Sequence, residues 1–399
     1  MSHSRGPFAG VRIIELANSL AAPGAAAVLA DQGADVIKVE PPGVGDILRY
    51  IGASRNGISG IFEQFNRGKR SIALNLKDPE GQAILQGLVR DADVVLHNFR
   101  PGVAERIGAG YAQLKGLNPG LIYATLTGFG TSGPYAGRPA YDNVVQAFAG
   151  IAYSQENAQT GEPQQYYQVI ADKLSGLTTA QAIGAALFAR ERGAGGQEIS
   201  VAMIDAVAAF LWPDASGTAV FGNPEGAVAG QQVAKGNRLM KFRDGWAQIA
   251  PVDDSSFQAT CRILGEDVSG DERFATVQGR NRHAKEVRDL FVRLYFRAES
   301  MFVDEVVAQL EAADVPCAKA LRVEELPDHP QFQANELFVT VDHPRAGPIR
   351  LPRTPACFDG TPPSTGARAP FLGEHTEAIL AEIKWQSDPA ALRERRVIG

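Results

Sequence analysis

Near the N-terminus a short β-type run from Val11 to Leu16, a small-residue stretch from Ala22 to Gln32 and a second β-type run from Asp35 to Val39 follow one another with barely a turn between them. The outer two are short and rich in Val and Ile, as strands are, and the middle one is crowded with alanine, the best helix former. Strand, helix and strand joined so tightly make a βαβ unit, which commits its two strands to lie parallel with the helix packed across them. The alternation continues through a strand at Ser71–Leu76, a helix from Pro79 to about Arg90, a strand at Asp93–Leu96, a further helical stretch and a strand at Leu121–Thr127. A helix that opens around Asp172 ends near Arg192 at the glycine-rich RGAGGQ, before a short strand at Glu198–Val201 and an apolar helix at Met203–Leu211. Such sustained alternation predicts an α/β fold on a parallel, doubly wound, Rossmann-like sheet.

At 399 residues the chain is long enough for two or three domains. Residues 1–213 read as one large α/β domain, and 214–237 as a Gly-rich linker or loop. Residues 238–325 read as a smaller α+β domain with helices near Ala259 and at Glu286–Phe296. From 326 to 399 Pro-rich turns lead to strand candidates at Phe338–Val341 and Gly347–Leu351 and a closing helix at Glu374–Ile383. No internal repeat or low-complexity tract is present. A net charge of −6 provides no general basic field, so nucleic acid is not an expected partner and an anionic ligand must be met by a local cluster. Cys261, Cys317 and Cys357 lack the paired spacing of zinc or redox motifs, which fits reduced thiols in the cytoplasm. MSHSRGPFAGVRIIEL lacks a signal peptide's apolar run, and no window is apolar for the roughly 18 residues a membrane span needs, so a cytoplasmic location is expected.

Glu40, at the end of the second strand, stands where a ribose-binding acid would in a dinucleotide fold. The first strand-to-helix turn nevertheless reads ANSLAAPGAAA in place of G-x-G-x-x-G, so NAD is not expected. P-loop, G-x-S-x-G and H-E-x-x-H motifs are missing, and His3, His97, His283, His329, His343 and His375 are scattered, which gives no indication of a metal site. What does gather is polar and cationic groups at strand ends, the edge where open α/β sheets bind ligands. Ser19 follows the first strand, Lys38 lies in the second, Leu74, Asn75 and Lys77 close and follow the strand SIALNL, and HNFRPGVAERIG supplies Asn98, Phe99, Arg100 and Arg106. Cations and backbone amides suit phosphate groups, and Phe99 offers a ring for stacking, so a phosphorylated, adenine-bearing ligand fits this edge. Asp172 sits at the mouth of a helix whose positive end favours the ionised carboxylate, and ionised carboxylates attack acyl carbons. Asp is also a preferred helix cap, so the surroundings decide between nucleophile and cap.

The motifs DVIKVEPP, NRGKRSIALNLKDPEG, HNFRPGVAERIG, GFGTSGPYAGRPAYDNVVQAFAG, ADKLSGLTTAQAIGAALFARE and LGEHTEAIL, in this order, resemble the class III CoA-transferases, also called the CaiB/BaiF family, to which formyl-CoA transferase-like enzymes belong. The resemblance is dense over residues 8 to 210 and thinner beyond. It implies that Asp172 is the catalytic aspartate, that Tyr141 is an active-site tyrosine, and that coenzyme A or acyl-CoA is bound as substrate without metal or NAD. It further implies a large Rossmann-like domain completed by 326–399 and an interlocked homodimer. The implied chemistry runs from an aspartyl anhydride to an aspartyl-CoA thioester on Asp172, with Arg138 and Lys173 as candidate partners for a second carboxylate on a small acid.

Two alternatives stay open from sequence. Acyl-CoA racemases and epimerases resemble the same span, but at the position of Tyr141 they typically carry a histidine, and a phenol with pKa near 10 is a poor base at neutral pH. A non-catalytic acyl-CoA-binding protein would keep the groove and lose the reaction. Where some transferases carry four consecutive glycines as a lid, this chain reads EGAVAGQQVAKGN, left flexible by Gly226, Gly230 and Gly236.

Overall fold

The computed structural model describes residues 6–228, 238–363 and 366–399. His3, together with Gly230, Gly236 and the rest of the candidate lid between 229 and 237, lies outside the described residues. The chain divides into two compact units, Met1–Ser216 with Gln333–Gly399, and Gly217–Phe332.

The larger unit is built on six strands: β1 (Arg12–Glu15), β2 (Asp35–Glu40), β3 (Arg70–Ala73), β4 (Val94–His97), β5 (Ile122–Thr127) and β6 (Glu198–Ala202). They lie in the order β3-β2-β1-β4-β5-β6, and every adjacent pair is parallel. The reversal of strand order falls between β1 and β4, where Ile13 and Ile14 pair with Val94 and Val95. Buried on both faces, the central strands β1, β2 and β4 carry Val, Ile and Leu at successive positions, as a covered parallel sheet requires, whereas the edge strand β6 alternates in exposure. On one face α1 (Ala21–Asp31) and the helices α4 (Ile170–Ala189) and α5 (Met203–Ala215) close a core around Ile13, Val36, Val94 and Ile183. On the other, α2 (Pro79–Arg90) and α6 (Thr376–Glu382) cover Ile14, Ile37, Ile72 and Val95, so both ends of the chain contribute to one unit. The short helix α3 (Asp142–Phe148) precedes α4.

Helices α1 and α4 approach closely because their facing residues are small: Ala21, Ala22 and Ala25 meet Ala171, Ser175 and Gly176. A Cβ on Gly176 would lie 2.7 Å from the Ala21 carbonyl oxygen, so glycine is required there. This contact sets the two helix N-termini side by side. Strand β3 ends at Ala73, earlier than the apolar run predicts, because Leu74 bridges to Ile398 and the Asn75 N–H donates to the Val397 carbonyl. Helix α4 stops at Ala189, where Arg190 turns to Asp93 at 2.7 Å and Gly193 takes φ 95°.

The smaller unit is α+β. Strand Trp246–Ile249 pairs antiparallel with Met240–Lys241 and Cys317–Lys319. Helices Asp254–Ile263, Ala284–Ala298 and Val303–Ala312 bury Phe257, Leu290, Leu294, Val306 and Leu310 around Ala247.

Candidate active site

A cavity of about 320 Å³ opens where strand order reverses, the crevice in which open α/β sheets bind ligands. The turn after β1 contributes Asn18 and Ser19, the turn after β4 contributes Asn98, Phe99 and Arg100, and the end of β5 contributes Leu126, Thr127 and Gly128. The two turns are stitched together: the Asn98 amide donates to the Asn18 carbonyl at 2.7 Å, and the Asn18 N–H donates to Asn98 Oδ1 at 3.2 Å. A loop over β5 adds Arg138 and Tyr141, and α4 adds Asp172. The loop lies close because Gly128 allows it; a Cβ there would sit 2.2 Å from the Ala140 Cβ.

Asp172 is the third residue of α4 and is only 9% exposed. Its own N–H donates to Asp142 Oδ2 at 3.0 Å. The helix is therefore capped by a carboxylate from α3, while the Asp172 carboxylate has no hydrogen bond or ion pair among the described residues. Asp142 is held by the Gln146 amide, which also donates to the Gln168 carbonyl at 2.9 Å, while Gln146 Oε1 accepts the Tyr166 N–H at 2.9 Å. One glutamine thus fixes both the capping acid and the approach to α4. Burial, reinforced by the neighbouring Asp142 charge, pushes the Asp172 carboxyl up to about 7. This corrects the expectation that the helix terminus holds it ionised: the positive end of α4 faces Asp142, and Asp172 takes the desolvation.

The cations of the site differ from one another. Arg138 lines the cavity, stacks on Tyr135 at 3.8 Å from the ring centroid, and has no acidic partner among the described residues. Tyr135 belongs to an aromatic cluster with Phe129 and Phe148 that steadies this stack. Lys173 does not join it; one step along the helix from Asp172 it is exposed and donates to Gln168 Oε1 at 2.8 Å. Lys38, expected as a ligand contact, is a correction of another kind. It is fully buried, with Nζ 2.8 Å from Glu15 Oε1, 2.9 Å from the Ala17 carbonyl and 2.8 Å from Asp46 Oδ2, and no face is left for a ligand. Burial would strip its proton, but Glu15, Asp46 and Glu40 more than offset that and hold it charged above the ordinary range. Leu74 is a third correction, since its side chain is buried in the core with Ile398. Asn75 is spent on its turn, accepting the Lys77 N–H at 3.1 Å.

Tyr141 is 72% exposed at the cavity rim. Ser19 lines the cavity in a left-handed turn with φ 67°. Phe99 stacks on His97, their ring centroids 5.4 Å apart, and its N–H donates to His97 Nδ1 at 3.2 Å. The His97 ring is therefore neutral and protonated on Nε2, which donates to Thr125 Oγ1 at 3.0 Å, and burial pushes its pKa down to about 4. Lys77, Arg100 and Arg106 are exposed along the same strand-end edge, with no ion pair among the described residues. Glu40, the would-be ribose acid, is consumed by Arg49 at 2.7 Å and Ser71 Oγ at 2.6 Å. Sequence reasoning gave no role to Asp142, Gln146 or Asp46; the i, i+4 pairing of Asp142 with Gln146 was the one signal available.

A doubly wound sheet with a cavity at its switch point, and in it a buried carboxylate that has no partner among the described residues, defines a class of ligand-binding α/β proteins. The match to the CoA-transferase family III model over residues 8–376 goes further: the chain belongs to this family of CoA-transferases, whose substrates are CoA thioesters. It is 35% identical to succinate–glutarate CoA-transferase of Agrobacterium fabrum, over 96% of this chain and 97% of the relative. It is 32% identical to succinyl-CoA–D-citramalate CoA-transferase of Chloroflexus aurantiacus, over 98% of each. Among solved structures it resembles a CaiB/BaiF family protein from Brucella suis, with a TM-score of 0.82 and 33% identity over 95% of this chain and 100% of that one.

Proposed function

We propose that this protein moves CoA from an acyl-CoA donor to a small dicarboxylic acid by covalent catalysis on Asp172. The observation that carries the reading is the Asp172 carboxylate itself, buried and lining the same cavity as Arg138, neither with an ion-pair partner among the described residues. Asp172 attacks the donor thioester carbonyl, giving a mixed anhydride and CoA thiolate. The thiolate attacks the aspartyl carbonyl, releasing the donor acid and leaving an aspartyl-CoA thioester. The incoming carboxylate attacks that thioester to form a new anhydride and free the thiolate, which takes the new acyl group and restores the Asp172 carboxylate. Holding CoA throughout makes its thiolate effectively intramolecular, an advantage on the order of 7–11 kcal/mol in good geometry. The Leu20, Ala21 and Ala22 N–H groups at the start of α1 have no acceptor among the described residues, and Leu20 and Ala21 line the cavity. They suit the oxyanion formed at each step.

The CoA moiety runs along the strand ends, with adenine at Phe99 and phosphates toward Arg100, Arg106 and Lys77. Arg138 receives the distal carboxylate of the acid, a reading supported by its free guanidinium and by the dicarboxylic acids in the relatives' names. Tyr141 closes the rim. Two copies thread into an interlocked homodimer in the cytoplasm. The dimer is supported by Leu177, Phe188, Phe210 and Trp212, each more than half exposed on α4 and α5. A folded monomer on dilution, seen by mass photometry, would overturn the threading.

The test of the reaction is mass spectrometry of products after mixing the protein with succinyl-CoA and a panel of mono- and dicarboxylic acids, with Asp172→Ala alongside. New acyl-CoA species that vanish in the variant are expected. Transfer by Asp172→Ala at the parental rate would refute the nucleophile, and binding of CoA without any turnover would favour a binding protein.

A further inference from the structure

Ser19 holds a left-handed backbone, φ 67°, that side chains other than glycine rarely adopt. Such strain persists only where the surroundings impose it, and here the imposing group is visible. Asp46 Oδ1 accepts the Ser19 N–H at 3.1 Å and the Leu48 N–H at 2.9 Å. Asp46 Oδ2 faces the Lys38 ammonium at 2.8 Å, and the Asp46 N–H donates to Glu40 Oε1 at 2.9 Å. Lys38 is locked in turn by Glu15, whose second oxygen is 2.6 Å from Lys69 Nζ. Asp46, Lys38, Glu15 and Lys69 are all buried, and Lys69 donates to the Pro23 carbonyl inside α1 at 2.9 Å. The whole network therefore braces the β1–α1 turn. Buried ion pairs of this kind seldom add net stability over apolar packing, so what they contribute is geometry.

That geometry bears on Asp172. Residues 172 and 176 lie one turn apart on the same face of α4, and Gly176 is packed against the Ala21 carbonyl. The first turn of α1 is thus held beside Asp172, and its residues Leu20 and Ala21 line the same cavity as the Asp172 carboxylate. We propose that Asp46, clamped by Lys38, is a positioning residue for the reaction at Asp172: it pins Ser19 in its left-handed turn and so aims the first turn of α1 at the reacting carbonyl. The proposal rests on Asp172 being the nucleophile. It gives the buried Lys38 a role at one remove from the ligand, through the turn and not through contact.

The experiment is a kinetic cycle with succinyl-CoA and glutarate on Asp46→Ala, Ser19→Gly and the double variant, with Asp172→Ala as control. Glycine adopts the left-handed turn without strain, so in the Ser19→Gly background the turn no longer depends on its tether. In the parent background Asp46→Ala is expected to lower kcat on the order of 100-fold, as a roughly 1 Å misplacement does, with the KM for succinyl-CoA changed less than about threefold. In the Ser19→Gly background the loss should shrink to less than about tenfold. An equal loss in both backgrounds, or a kcat within about twofold of the parent, would overturn the proposal, since a merely structural role has no reason to be suppressed by a glycine. If Asp46→Ala does not accumulate folded, Asp46→Asn enters the same cycle. Its amide must turn oxygen to Lys38 and nitrogen to the Ser19 N–H, which loosens the same tether, and the same suppression is expected. Activity surviving in Asp172→Ala would instead sink the nucleophile reading and leave the bracing of Ser19 to be judged by the suppression alone.

Discussion

Asp172→Asn should abolish transfer and stabilise the protein, and the two effects have one cause. A carboxyl carried from 3.8 in the unfolded chain up to about 7 in the cavity costs about 1.4 kcal/mol per pH unit to ionise, about 4 kcal/mol in all. Discounted for the partial solvent access of the open cavity, about 3 kcal/mol should survive. The sign follows from proton uptake. Because the folded-state pKa is raised, between pH 4 and 7 the unfolded chain has already released the proton that the folded chain keeps. Stability therefore falls as pH rises through that window and levels off above about 7. Asparagine has the shape of the neutral acid and nothing to ionise. The stability gap between variant and parent should be near zero at pH 4 and widen to about 3 kcal/mol at pH 8, a rise in unfolding temperature of roughly 5 °C for a unit of this size. Thermal and urea unfolding of both proteins from pH 4 to 8, with transfer assayed on the same samples, measures it. A gap that does not widen with pH, or an Asn variant no more stable than the parent at pH 8, would mean that the helix terminus does carry the charge and that the desolvation argument is wrong.

With the carboxylate as the proposed attacking species, kcat/KM should fall with unit slope below about pH 7 and be level above it, and a profile flat from pH 5 to 8 would contradict this. Arg138→Met should raise the KM of succinate or glutarate about 10- to 100-fold, the value of a charged hydrogen bond, while leaving acetate and propionate unchanged; an equal effect on both classes would remove Arg138 from acid recognition. Gly176→Ala should force α1 and α4 apart, costing about 1–3 kcal/mol in denaturant despite alanine's better helix propensity, and should lower kcat. A variant as stable and active as the parent would show that the close approach is not required.

The sheet was legible because its central strands are covered on both faces and so carry Val, Ile and Leu at successive positions, as in VVLH and the VI of DVIKV. The order of strands was not, since nothing in a parallel strand names its neighbour. Ser19, Asn98, Phe99 and Arg100 were placed at the right edge by their position after strands, and the switch point gathered them. Lys38 was misread for a physical reason: a lysine in a strand of an acidic chain looks solvent-bound, and the acids that enclose it, Glu15 and Asp46, come from other segments, the preceding strand and the loop that follows. Lys173 and Asp172 are adjacent letters, but a helix turns successive side chains about 100° apart, so only one of them faces the cavity.

The expectation for Asp172 failed in an instructive place. Read alone, an acid in the first turn of a helix has its charge stabilised there, and the same N–H groups that make it comfortable would make it unreactive. The structure separates the two jobs between two aspartates. Asp142 takes the helix terminus, accepting the Asp172 N–H, and Gln146 holds it there. Asp172 is left buried, close to a like charge and without a donor among the described residues. In the proposed reaction a carboxylate with no hydrogen bond to surrender would attack an acyl carbon without first breaking one, and the anhydride or thioester that followed would be neutral at that oxygen, relieving the desolvation the free carboxylate bears. What the ground state loses in stability, the proposed covalent intermediates would regain, which is differential binding expressed through one side chain. It also requires the Asp172→Asn variant to be the more stable protein.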